Sequence, residues 1–176
     1  MAKNAEDKRA TACSGCGALL EPRDGPCHRY LIASPACWAK YGDVLAYEYS
    51  DPALLPTHRL TVDTYAVQHP GDCSRQAIQS VGLHLARLMI QLESPVPPRE
   101  TNDVILHLGP RKATLRLLDR PDFFQMTIAD VWPAAGTPDH ARTVRLWSER
   151  TWRDWCQHHE YIRNWVSSNR GELGLE

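Results

Sequence analysis

The sequence predicts a mainly α fold: a helical bundle with a knuckle at its N-terminus and a long C-terminal helix. Three observations carry this. Apolar residues recur at helical rather than strand spacing in several segments. Ser34-Pro35, Ser74 and Thr137-Pro138 stand where a cap and a first helical turn belong. The opening stretch instead combines Cys13-Ser14-Gly15-Cys16-Gly17 with Pro22, Gly25 and Pro26, a composition that suits turns.

The elements follow in order. Met1 to Ala12 is polar and reads as a flexible start. Residues 13–34 form the loop-rich knuckle. Ser34 caps a first helix through about Tyr49, and Ser50-Asp51-Pro52 with Pro56 end it. Thr57 is expected to cap a second helix, stopped by His69-Pro70-Gly71. Ser74 opens a third, in which Ile78, Val81, Leu85, Leu88, Met89 and Leu92 share a face. Pro95, Pro97 and Pro98 mark a linker. Residues 103–133 alternate poorly, so we expect a short helix and loop in preference to a hairpin. A long final helix is expected from Thr137-Pro138 to about Ser167, striped by Val144, Trp147, Thr151, Trp155, Ile162 and Val166. We therefore assign 1–12 to a flexible start, 13–168 to a single domain and 169–176 to a tail.

Composition bounds the function. The 176 residues suffice for one domain with its own core, and 43% apolar content is ordinary. Twenty basic and 21 acidic residues nearly cancel, which removes the electrostatic footprint of a general nucleic-acid binder. No apolar run approaches the ~20 residues of a membrane helix, and the start lacks a signal-peptide core. A cytoplasmic location is expected, where thiols stay reduced and six cysteines read as ligands and free thiols. No Gly-rich phosphate loop, Gly-x-Ser-x-Gly elbow or His-Glu-x-x-His pattern occurs, which argues against the common nucleotide-binding, serine hydrolase and zinc protease classes.

Cys13 and Cys16 present two thiolates on a glycine turn, half of a tetrahedral site. Cys27 and Cys37 compete for the third position, and a four-cysteine site is one alternative. Helix geometry discriminates. Cys37, Tyr41, Val44 and Glu48 form a stripe at steps of four, three and four, and His58, Val62, Tyr65 and His69 repeat the pattern. A short connection favours antiparallel neighbours. Facing stripes bring Cys37 to His69 at one end and Glu48 to His58 at the other, roughly 16 Å away at 1.5 Å per residue. Our expected set is Cys13, Cys16, Cys37 and His69 around one structural zinc.

The same residues carry a family likeness. Cys13-x-x-Cys16-Gly17-Ala18, Cys37-Trp38, Asp51-Pro52, His58-x-Leu60 and Tyr65-x-x-Gln68-His69-Pro70 resemble a domain-of-unknown-function family of bacterial proteins, common in actinobacteria. The likeness is strong to about Leu92 and weaker through Thr127–Val131 and the Trp-rich end. It implies a third ligand directly before an aromatic residue, which fits Cys37 and not Cys27. It implies no activity.

A second site is expected between the helices. His84, ten residues into an antiparallel third helix, should approach His58 and Glu48, making a carboxylate and two histidines available as acid/base residues or metal ligands. Asp51 and Asp63 are near that level. His107, His140, His158 and His159 stand elsewhere, and adjacent His158 and His159 point about 100° apart on a helix. The tryptophans read as core and the arginines of the last helix as a solvated face. Three functions compete: a zinc-stabilised helical protein acting through a pocket or protein partner, a metal-dependent enzyme on a small molecule through Glu48, His58 and His84, and a zinc-finger-like adaptor for protein or nucleic acid. The charge balance disfavours nucleic acid.

Overall fold

A computed structural model of the chain describes residues 9–94, 103, 104 and 106–170. The expected linker prolines, residues 1–8 of the expected flexible start and residues 171–176 of the expected tail lie outside them. Two short strands, β1 (Thr11–Ala12) and β2 (Leu19–Leu20), pair antiparallel with Thr11 opposite Leu20. Helices make up most of the rest, among the described residues: α1 (Pro35–Tyr49), α2 (Leu55–Gln68), α3 (Arg75–Glu93), α4 (Ile128–Val131), α5 (His140–Asp154) and α6 (His159–Arg170). None is long and apolar enough to cross a membrane.

Local chemistry sets most boundaries. Ser34 accepts the Cys37 N–H while Pro35 occupies the first turn, where its missing N–H costs nothing. Ser74 caps α3 in the same way through Ala77. The start of α2 differs from expectation. Asp51 caps a 3-10 turn, Pro52–Leu54, that runs directly into α2 at Leu55. Thr57 therefore lies inside the helix and caps nothing, because Pro56 is already in its first turn.

The expected long final helix is two helices. The chain leaves α5 at Trp155 and passes through a 3-10 turn, Cys156–His158, into α6. His159 stacks on Trp152 at 3.8 Å and its Nε2 donates to the Trp152 carbonyl, which also accepts the Trp155 N–H in the tightened last turn. His158 and Gln157 hold the Asp119 carbonyl. The break lets α5 lie on α2 while α6 turns to lie on α3. The expected stripe Val144, Trp147, Thr151, Trp155, Ile162 and Val166 is buried throughout. Between α3 and α4, residues 103, 104 and 106–108 are helical and pass into a 3-10 turn, Gly109–Thr114, so the helix-and-loop expectation holds there.

α2 is the centre of the bundle, touching α1, α3 and α5. It is accordingly buried from Thr61 to Gln68 apart from half-buried Val62, although it is rich in polar residues. Several of these face neighbours that answer them: Thr64 meets Ser148 at 2.8 Å, and Gln68 donates to Thr151 and the Met126 carbonyl, both at 2.7 Å. Two apolar clusters flank it. One joins α3, α6 and the inner end of α5; the other joins the knuckle, α1, Tyr65, α4 and the start of α5. Leu60 and Phe124 touch both.

Candidate metal centre

The knuckle turn begins at Cys13. Its carbonyl accepts from the Gly17 N–H at 2.8 Å, and its N–H donates to Ala18 at 2.9 Å. Gly17 sits at φ +78°, a region that side chains disfavour. Gly15 matters for another reason. A Cβ there would collide with the Ile32 carbonyl oxygen and the His69 ring, so the turn packs directly on the imidazole. Ser34 links the two segments, since its hydroxyl caps α1 and its N–H donates to Cys13 Sγ at 3.3 Å.

Four side chains converge at this junction. Cys13 and Cys16 come from the turn, Cys37 from the first turn of α1, and His69 from the end of α2. Their donor atoms all lie within 4.8 Å of one another, an arrangement that could hold a metal ion. Cys16 Sγ stands 3.8 Å from Cys37 Sγ, well beyond a disulfide bond of about 2.05 Å. Cys37 Sγ is 3.3 Å from His69 Nε2. All four residues are buried, Cys37 and His69 completely. Cys27 is exposed and outside the group.

The surroundings orient these donors. His69 Nδ1 lies 2.7 Å from the Tyr65 carbonyl, which requires the proton on Nδ1 and leaves the Nε2 lone pair facing the thiols. The Tyr65 ring is stacked between Tyr41 and His69, at 3.8 and 3.9 Å, and its hydroxyl donates to Cys37 Sγ at 3.5 Å. Hydrogen bonds from Cys16 and Cys37 hold Cys13 far below the usual thiol range. The bond to Cys13 pushes Cys16 up to about 12 and raises Cys37 as well. A dication held by these residues would instead favour the thiolate form of all three together.

The far end of the α1–α2 pair holds a different cluster. Glu48 is buried and accepts from Thr61 at 2.6 Å; its carboxylate contacts His58 Nδ1 at 3.1 Å and His140 Nε2 at 2.9 Å. Burial pushes the Glu48 carboxyl up to about 7 and lowers both histidines. His84, expected here, is not part of it. Its Nδ1 pairs with buried Asp63 at 2.7 Å, beside Arg87 and Gln91. The reason is angular: Asp63 follows His58 by five residues, about 140° around α2, so one faces α1 and the other α3. His140 from α5 takes the position expected for His84. Thr137-Pro138 marked the start of its helix, but nothing local fixed which side of the bundle that helix covers.

A family model described as "Family of unknown function (DUF5946)" matches residues 11–156, from β1 to the break after α5, and so includes every residue of both clusters. No curated protein and no solved structure matches.

Proposed function

We propose that this chain, which belongs to the family of unknown function DUF5946, is a zinc protein whose ion is structural. The carrying observation is the convergence of Cys13, Cys16, Cys37 and His69, all buried, on one point. Three sulfurs and one imidazole nitrogen suit tetrahedral zinc, and four protein ligands leave no open position for a substrate. Zinc–sulfur bonds of about 2.3 Å separate sulfurs in a tetrahedron by about 3.8 Å. The Cys16–Cys37 spacing of 3.8 Å supports that geometry.

In this reading Cys13 and Cys16 hold the ion from the knuckle, Cys37 ties it to the start of α1, and His69 to the end of α2. The knuckle has only a two-residue ladder of its own, so ligation supplies much of its folding energy. Thiolate ligation also implies a reducing compartment, and the cytoplasm is the location we propose. The separation of His84 from Glu48 and His58 counts against an enzyme built on those three. A net charge of −1 counts against a nucleic-acid adaptor.

Elemental analysis of freshly purified, reduced protein tests the reading. We expect about one zinc per chain, retained through gel filtration and lost to a strong chelator together with thermal stability. Protein that carries no metal and melts identically with and without chelator refutes it.

A further inference from the structure

Tyr65, whose two ring faces are covered by Tyr41 and His69, still helps to line a hollow that neither cluster uses. Trp38, Tyr41, Val62, Ala66 and His84 line the same cavity of ≈180 Å³. An apolar cavity of about 150 Å³ holds benzene, so this one has room for a single six-membered ring. Trp38 packs on both tyrosines, 5.3 Å from Tyr41 and 6.0 Å from Tyr65 between ring centroids, so the three rings make one aromatic wall.

A second hollow of ≈270 Å³ adjoins the first, sharing Gln76, Ser80 and His84, and its character is opposite. Arg87 and Lys112 line it. Asp63, the acid beneath, is fully buried and already engaged by His84, Arg87 and Gln91. With Arg87 balanced by Asp63, Lys112 leaves the pair of hollows one positive charge in excess. The Asp63 carboxylate takes the Nδ1 proton of His84, so Nε2 donates to a ligand only while the imidazole is doubly protonated, and the lasting donors are Arg87 and Lys112.

We propose that the paired hollows bind a small single-ring aromatic oxyanion. Its ring lies against the wall that Trp38, Tyr41 and Tyr65 make together, and its carboxylate or phosphate meets Arg87 and Lys112. Shape selects one ring, and charge selects an acid over an alcohol or amine. The site goes beyond the structural-metal reading and touches it only through Tyr65.

The test uses the metal-replete full chain, titrated calorimetrically with phenyl phosphate and phenylacetate. Benzyl alcohol supplies the ring without the charge, and inorganic phosphate the charge without the ring. We expect at least one aromatic anion to saturate at one site with Kd in about the millimolar range, and both controls to bind at least about tenfold more weakly. Lys112→Glu, on an exposed side chain, should weaken the anion about fivefold or more, and Ser80→Phe, which fills the ring cavity, should abolish binding. Absence of saturable binding by both anions overturns the proposal. So does either control binding equally well, or indifference of the anion to both substitutions. Zinc content measured on every sample separates this outcome from failure of the metal reading, since neither variant touches a ligand.

Discussion

Gly15→Ala tests how closely the cysteine turn is fitted to the imidazole. A methyl group at this position would overlap the Ile32 carbonyl oxygen and His69 Cδ2, and would stand 3.1 Å from His69 Cγ. Carbon–carbon contacts settle at about 3.5–4.0 Å, so the ring must retreat by on the order of 1 Å. Nε2 is bonded to Cδ2 and moves with it, whereas metal–ligand distances tolerate about 0.2 Å. The alternative is for the turn to back away, which carries Cys13 and Cys16 off the site. Both routes spoil the geometry. Displaced supporting groups cost 10–100-fold in metal affinity, and we expect about 100-fold here because a ligand itself is pushed. Competition against a chromophoric chelator measures it. Gly17→Ala is the control: a Cβ there meets nothing within 4 Å, but φ is +78°, so it should cost about 1 kcal/mol of stability and leave affinity nearly intact. Wild-type affinity in Gly15→Ala would refute the close-packing argument.

Three other outcomes are expected. Cys37→Ser should release zinc, while Cys27→Ser, on an exposed loop, should leave metal content unchanged; equal loss from both would point to a four-cysteine site. Glu48 ionises at about 7 in the fold against 4.5 unfolded, so its carboxyl costs stability as pH rises from 4.5 to 7. Glu48→Gln should therefore gain on wild type across that window, by on the order of 3 kcal/mol at 1.36 kcal/mol per unit, and parallel melting curves from pH 4.5 to 8 would contradict this. The lowered His58 and His140 act in the opposite sense but are common to both proteins. Gln68→Leu strands the Thr151 hydroxyl and the Met126 carbonyl, and urea denaturation should register about 1–3 kcal/mol for each, with no change in metal content.

The parts legible in the sequence are those governed by local rules. Ser34-Pro35 gave the start of α1 because capping involves only the next three residues, and the stripes Cys37–Glu48 and His58–His69 aligned because a short antiparallel connection leaves little freedom of register. What depends on distant partners was hidden. α2 reads as a polar helix, yet it is buried because Ser148, Thr151 and the Met126 carbonyl arrive from far along the chain. His140 is separated from Glu48 by 92 residues, so no spacing rule could favour it over His84. The break at Trp155 escaped notice for a related reason. It preserves the apolar stripe, and His159, which adds a second hydrogen bond to the Trp152 carbonyl, resembles any surface histidine in sequence.

The two apolar clusters on either side of α2 make the domain divisible in its cooperativity. Cys13, Cys16 and Cys37 are members of one cluster, with Tyr41, Tyr65 and Val131; the other, built on Leu85, Leu88, Trp155 and Ile162, contains none of the four donors. Loss of the proposed ion would therefore withdraw support from one half only. Amides of the knuckle and the first turns of α1 should exchange by a shallow opening set by metal concentration, while those of α3 and α6 exchange by a deeper one that ignores it. Leu60 and Phe124 are where the two regimes meet. With the proposed ion, such a protein would have no single stability: a metal-set value for the end that carries the knuckle and a sequence-set value for the end that does not, with metal supply altering only the first.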